Sequence, residues 1–339
     1  MIATSASAPE PYDPSAEQVV ARSSAPAKVM LFGEYAVLEG HQALAMCLNR
    51  RITCEVVSLP RASSLLIEAT SVFGQVIEVP IESLSQATPT SKDLALLWPV
   101  LRRHRPVQGG FRLRFLADFP TTWGLGSSSA STLAAVSALH RAGGHEPSPL
   151  DLFTEARDAQ RALQGQASGY DVATQLLGGY VQFQDGAPPH LTRMEPPSVT
   201  LDWIVAWSGQ KASTGAMIRT IRDRFPVGHG IYGAMGDVSR EGIRGLERGD
   251  LVALGEAMNS GHALLDELGA VPEEHGAVVR ALQADPDVLG ARLTGAGGGD
   301  CILILAADRR YATQCAEAHG LEVLDVIFER DGLVEESLS

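Results

Sequence analysis

The chain is short of basic residues, has no paired cysteines and no long apolar run. Lysine and arginine number 27 against 40 aspartates and glutamates, a formal charge of -13 at pH 7. That deficit excludes a broad nucleic-acid-binding face, which needs a basic excess to neutralise phosphates. It leaves room for an anionic small molecule, because a local basic pocket can sit in an acidic protein. The four cysteines (Cys47, Cys54, Cys301, Cys315) form no CxxC pair and have no histidine at zinc spacing, and the nine histidines form no HxxxH pair. They read as reduced thiols of a cytoplasmic protein, and the sequence gives no reason to expect a disulfide framework or a structural metal. No apolar run reaches the length of about 18 residues that a membrane span needs. The first residues, MIATSASAPEPYDPSAEQ, lack the basic and apolar pattern of a signal peptide. Rich in Ala, Ser and Pro, residues 1–22 read as a flexible extension. The common nucleotide motifs are missing as well: there is no GxxxxGK[ST] and no GxGxxG in a βαβ unit.

What is present is a 339-residue chain with 45% apolar and 20% charged residues, long enough for two domains with a sizeable core. Its patterns alternate between strand and helix without a regular βαβ rhythm, which predicts an α+β protein. Lys28 to Phe32, Arg51 to Leu59 and Phe111 to Phe119 read as strands, and Leu65–Ala69 with Val76–Pro80 as a hairpin. Apolar spacing predicts a helix from Ser91 to His104. The proline-rich segment DGAPPHLTRMEPP, Asp185 to Pro197, marks a change of domain. This places an N-terminal domain at 23–190 and a C-terminal domain at 198–335. The second domain begins with a strand, Leu201–Trp207, and ends with an edge strand, Glu322–Phe328.

Four polar clusters interrupt this scaffold. In FPTTWGLGSSSASTLAAVSAL, Phe119 to Leu139, glycines and three serines stand directly before a good helix former. A glycine turn opening a helix N-terminus attracts phosphate, through orphan N–H groups and the positive dipole end. A tight turn with serine caps explains the same residues without a ligand. Lys28, on an apolar strand near Glu34, either snorkels to solvent or faces an anion. Asp171, in SGYDVATQLLGG, is either an N-cap or a positioner or base for a substrate hydroxyl. Thr294 to Asp300, TGAGGGD, carries more glycine than a hairpin needs and fits an anion nest. Two glycine anion loops, a lysine and an isolated acid together meet the demands of phosphoryl transfer, which are positioning and charge neutralisation.

The segments APAKVMLFGEYAVLEG, PTTWGLGSSSAS and LTGAGGGDC, in that order, resemble the three motifs of the GHMP kinases (galactokinase, homoserine kinase, mevalonate kinase, phosphomevalonate kinase). The resemblance spans Ala25 to Cys301. It implies a two-domain fold: an N-terminal α+β domain with a left-handed crossover and a ferredoxin-like C-terminal domain, with the site in the cleft between them. It also implies ATP and Mg2+ as cofactors. ATP contacts are expected from Gly124, Leu125, Gly126, Ser127, Ser128, Ser129, Gly295, Ala296, Gly297 and Gly298. Lys28 and Asp171 match the catalytic pair, and Ser128 matches a magnesium contact that Glu34 would supplement. Ser168, Gly169, Lys211, Ser213, Thr214, Gly299 and Asp300 fall on the substrate side. Within the mevalonate-pathway branch, GEYAVLEG, GAGGGDC and QGQASGYDVAT resemble the phosphomevalonate type. Gln160 stands where the mevalonate type carries a magnesium-binding glutamate. The expected acceptor is therefore 5-phosphomevalonate, with mevalonate the alternative, and Arg112, Arg114, Lys211 and Arg292 are unranked candidates for its phosphate. No nucleic acid or membrane partner is expected, and the assembly is a monomer or homodimer.

Overall fold

The computed structural model describes residues 17–84, 95–104, 109–212 and 214–336. The strands form two sheets. The first holds β1 (Gln18–Phe32), β2 (Ala43–Leu59), β3 (Ser64–Ala69), β4 (Gln75–Pro80), β5 (Gly110–Ala117), β6 (Tyr180–Gln184), β7 (His190–Met194) and the late strand β12 (Val334–Glu336). Its order is β12-β1-β2-β5-β3-β4, with β6 joining β2 and β7 joining β6. The β3 and β5 strands run parallel, Leu65 opposite Phe111, so the chain between them crosses over. The second sheet holds β8 (Asp202–Trp207), β9 (Val288–Leu293), β10 (Cys301–Ala306) and β11 (Glu322–Val323), in the order β11-β8-β10-β9. Fourth, first, third, second, with every pairing antiparallel, is the ferredoxin-like arrangement.

Helices α1 (Trp98–Arg103), α2 (Ser127–Ala142), α3 (Pro149–Gln164) and α4 (Tyr170–Leu177) accompany the first sheet. Helices α5 (Thr214–Arg224), α6 (Gly230–Arg248), α7 (Leu251–Glu267), α8 (Glu273–Gln283) and α9 (Arg309–Ala318) belong to the second half of the chain. The α2 helix is central to the first core. Its run from Ser129 to Leu139 is buried on all sides, which its Ala-rich sequence permits because small side chains let strands and helices approach closely. A smaller core under the second sheet gathers Ile204, Val279, Ile302, Ile304 and Ala312.

Several boundaries differ from the sequence reading. The strand expected at Lys28 to Phe32 starts ten residues earlier, at Gln18. Residues 18–22 are therefore part of β1 and not of a flexible extension. Arg22 pairs with Glu55 at 2.6 Å and with Glu336 at 2.7 Å. The run Arg22–Ala27, RSSAPA, hides its strand character behind serines and a proline. Ser23 is fully buried and shares a 2.8 Å hydrogen bond with Ser137, and Pro26 sits at a register shift, where the ladder tolerates a missing donor. The DGAPPHLTRMEPP segment contains β7, an exposed edge strand paired with β6. The last expected strand pairs with its sheet only at Glu322–Val323. The chain then returns to the first sheet, where Phe328 bridges Leu48 and stacks on Tyr180 at 4.5 Å. The second domain as drawn from the sequence thus gives up its final residues to the first sheet. Residues 91–94 of the expected Ser91–His104 helix, and residues 1–16, lie outside the described residues.

The α7 helix comes closest to β9 at glycine, and further along Asn259 and His262 accept the Ala291 and Leu293 N–H groups at 3.0 and 3.3 Å. A Cβ at Gly255 would lie 2.1 Å from the Leu289 carbonyl oxygen, and one at Gly290 would lie 2.7 Å from the Gly255 oxygen. Gly233, in the interior of α6, has nothing within 4 Å of a Cβ. Gly255→Ala should lower the unfolding free energy by about 1–3 kcal/mol, whereas Gly233→Ala should raise it by roughly 0.5–1 kcal/mol. Urea denaturation of the two variants measures both; equal effects would contradict the close approach.

Candidate active site

β5 delivers the chain to the first glycine loop. Gly124 and Gly126 take left-handed φ values of 73° and 78°, and Gly126 serves as the N-cap of α2. No side chain caps this helix. Of the three serines expected as caps, Ser129 points backward instead and donates to the Gly126 carbonyl at 2.9 Å; in the next turn Ser131 donates to Ser127 at 2.8 Å and Thr132 to Ser128 at 2.9 Å. Ser129 is buried and Ser127 and Ser128 are half-buried. The α2 N-terminus therefore keeps its positive dipole end uncapped, as an anion site requires. Leu125 belongs to the core by its side chain and contributes its backbone, accepting the Lys28 N–H at 3.0 Å.

That bond holds β1 beside the loop, and the Lys28 side chain runs across it: a Cβ at Gly126 would lie 2.7 Å from Lys28 Cε. Lys28 is only 6% exposed. Its Nζ donates to the Tyr170 hydroxyl at 2.9 Å and lies 3.0 Å from Asp171 Oδ1. Burial alone pulls the ammonium pKa down, but the Asp171 carboxylate and Tyr170 more than offset it, so the net direction is upward. Asp171 sits in the first turn of α4, whose N-cap is Gly169 at φ 92°. It is thus not a cap; it adds negative charge at a helix N-terminus and remains 29% exposed by its side chain. Gln175, one turn on, donates to the Gly126 carbonyl at 3.0 Å and fixes α4 against the first loop.

The second glycine loop connects β9 to β10 and touches both other parts. Thr294 donates to the Met30 carbonyl at 2.7 Å, and the Tyr35 hydroxyl to the Ala296 carbonyl. Gly295, Gly297 and Gly298 have φ between 78° and 83°. A Cβ at Gly297 would lie 2.3 Å from the Ala270 oxygen, so glycine is obligatory there. Asp300 lies against Gly124, where a Cβ would come within 2.4 Å of its Cγ, and accepts the Ala212 N–H at 3.0 Å. Burial pushes the Asp300 carboxyl pKa up. Cys301 donates to the Trp123 carbonyl at 3.1 Å. Not every amide of this loop is available to a ligand: the Gly298 N–H donates to Ala270 at 2.7 Å and the Asp300 N–H to Gln210 at 2.7 Å.

Two expected roles meet other arrangements. Glu34, read as a supplementary magnesium ligand, faces Arg292 at 2.6 Å, with side-chain exposures of 2% and 1%. Burial raises the Glu34 pKa, and the Arg292 charge works against that rise. Arg292 also donates to the Leu31 carbonyl at 2.5 Å, so it is not a free cation for an acceptor phosphate. Arg112 and Arg114 are on β5 among Glu17, Glu55 and Glu68. Of the four basic candidates, Lys211 is the exposed one beside the second loop, where its charge acts on Asp300. Ser168 is buried next to Gly169, and Gly299 packs on the Gln210 carbonyl. Thr214 begins α5, and Ser213 lies outside the described residues. Gln160 is buried, at 5% exposure. The sequence gave no hint of the Tyr170 contact to Lys28 beyond its adjacency to Asp171, and the Arg292–Glu34 pair joins residues too distant for any local pattern to show.

The site therefore joins an uncapped helix N-terminus, a buried ammonium, a partly exposed carboxylate and a glycine loop. Comparison with known proteins gives the same picture. The GHMP kinases N terminal domain matches residues 94–179 and the GHMP kinases C terminal domain residues 243–323. A mevalonate kinase of Pyrococcus horikoshii is 30% identical over 337 residues, covering 94% of this chain and 98% of its own length. One from Aeropyrum pernix is 31% identical, covering 84% and 87%. Among solved structures, Streptococcus pneumoniae phosphomevalonate kinase in complex with phosphomevalonate and AMPPNP superposes with a TM-score of 0.75 at 19% identity, covering 91% of this chain and 99% of that one. Methanococcus jannaschii mevalonate kinase superposes with a TM-score of 0.74 at 18% identity, covering 91% and 97%. The chain belongs to the GHMP kinases and has their two-domain fold; it is an ATP-dependent small-molecule kinase.

The raised Lys28 pKa fixes a sign. A lysine whose folded pKa lies above its unfolded value near 10.4 stays charged below that value, and its contribution is lost only as pH rises through the folded pKa. The pH–rate profile should show no alkaline limb from Lys28 below about pH 10. A limb near pH 8 that disappears in Lys28→Arg would contradict the buried pair.

Proposed function

We propose that this GHMP kinase transfers the γ-phosphoryl group of ATP to the 5-hydroxyl of mevalonate. The observation that carries the reading is the Lys28–Asp171 pair, within a chain that matches proteins named mevalonate kinase over nearly its full length. A hydroxyl acceptor must lose a proton. Lys28 is held charged and cannot take it, whereas Asp171 is ionised beside it and reaches the open side of the site. The hydroxyl oxygen would attack the γ-phosphorus, the bond to the β–γ bridging oxygen would break, and the proton would pass to an Asp171 oxygen and then to solvent. Lys28 and the α2 N-terminus would neutralise charge on the moving phosphoryl group.

The donor set suits ATP phosphates, since the α2 N-terminus is uncapped and Gly126 lets Lys28 lie alongside. For Mg2+, the Ser128 hydroxyl and the Asp171 carboxylate are the oxygens of this chain that would hold it, alongside phosphate oxygens and water. Bound there, magnesium would offset phosphate charge. Glu34 is engaged with Arg292, and Gln160 brings no charge.

A second reading has its own support. Gln160 in place of an acid, together with GEYAVLEG and GAGGGDC, favours 5-phosphomevalonate as acceptor, and Lys211 is then the cation for its phosphate. Against it, Arg112, Arg114 and Arg292 are all engaged with carboxylates, which leaves a sparse set for a second phosphate. ADP release from Mg-ATP with each acceptor separates the two. Turnover is expected with mevalonate, falling by about 10²–10⁴ in Asp171→Ala with the fold intact by circular dichroism. Turnover with 5-phosphomevalonate alone would overturn the proposal.

A further inference from the structure

At the far end of α2 from the glycine loop, three side chains that the sequence keeps apart come together. His104 ends α1, His140 lies in the last turn of α2 and Glu155 is in the middle of α3. His104 Nε2 lies 2.7 Å from Glu155 Oε1 and His140 Nε2 lies 2.9 Å from Glu155 Oε2. The imidazole centroids are 4.2 Å apart. All three side chains are mostly buried, with exposures of 12%, 15% and 10%. One atom from each lies within 4.8 Å of the other two.

We propose that His104, His140 and Glu155 form a binding site for a divalent transition ion such as Zn2+, distinct from the magnesium of the kinase reaction. Two imidazole nitrogens and a carboxylate oxygen are a donor set this ion takes, with a fourth position left for water. Tetrahedral coordination at about 2.0–2.1 Å places ligand atoms roughly 3.4 Å apart, so the two His–Glu contacts, at 2.7 and 2.9 Å, each need to open by less than about 1 Å. Binding requires each Nε2 to offer its lone pair, with its proton released or moved to Nδ1. At His140 the Nδ1 that would take the proton is buried with no hydrogen-bond partner among the described residues, so the shift exchanges an unpaired acceptor for an unpaired donor. The flanking charges include Arg103, 3.5 Å from Glu155 Oε1 and 66% exposed, so able to turn to solvent, Asp151 on α3, whose charge interacts with His140, and His145, whose ring centroid is 6.1 Å from that of His140. Thirteen residues at 1.5 Å rise put His140 about 20 Å from Ser127. An ion here would staple α1, α2 and α3 without entering the phosphate site.

The test is titration of the chelator-treated full chain with Co2+, which reports tetrahedral nitrogen and oxygen ligation through visible d–d absorption. One equivalent is expected to bind, with zinc displacing the cobalt and raising Tm by about 4 °C when present at 100-fold its Kd. His104→Ala and His140→Ala should each abolish the absorption and the zinc-dependent Tm shift while leaving kinase turnover unchanged. Should either variant fail to fold, X-ray absorption of the zinc-loaded native chain decides, with two imidazoles in the first shell expected. Absence of stoichiometric binding, a first shell without imidazole, or binding that survives both substitutions would overturn the assignment.

Discussion

The site depends on one buried cation. Lys28 lies in the middle of an apolar strand, where an unpaired ammonium is strongly disfavoured. Asp171 and Tyr170 meet it from α4, and the Leu125 carbonyl fixes its backbone. Because these partners lie on α4 and on the first glycine loop, Lys28 brings β1, that loop and α4 to one place. The same charge then faces the α2 N-terminus, where phosphate is favoured. Structural need and the catalytic use proposed for Lys28 coincide in one side chain.

A second buried pair extends the arrangement across the chain's two halves. Glu34 follows β1 and Arg292 lies on β9, and their contact is buried almost completely. Around it, Thr294 bonds Met30, Tyr35 bonds Ala296 and Arg292 bonds Leu31. Removing one partner of a buried ion pair typically costs about 3–5 kcal/mol, because the other charge is left uncompensated. The pair therefore sets where the second glycine loop stands relative to Lys28. Its arginine is held by the scaffold and is not a free cation for a ligand.

Much of the site was legible in the sequence because its chemistry is local. The two glycine loops, Lys28 and Asp171 stand in short motifs whose residue types have few other uses at that density. The helix that apolar spacing predicts up to His104 ends at Arg103. What could not be read was decided by distant partners. The first ten residues of β1 look like a loop until β2 and β12 pair with them. Glu34 looks like a metal ligand until Arg292, far along the chain, meets it. The serine hydroxyls suggested caps, yet Ser129 donates to a carbonyl one turn back, a competing bond open to such residues within a helix. His104, His140 and Glu155 show no metal spacing in sequence, and only the packing of three helices assembles them.

The central claim is that Lys28 and Asp171 act as one unit on the transferred phosphoryl group. A double-mutant cycle on the single-turnover rate constant, using Lys28→Met, Asp171→Asn and the pair together, tests this most directly. The account predicts strong non-additivity, with the double variant about as slow as the slower single variant. Fully additive losses would mean that the two residues act independently, and would contradict it.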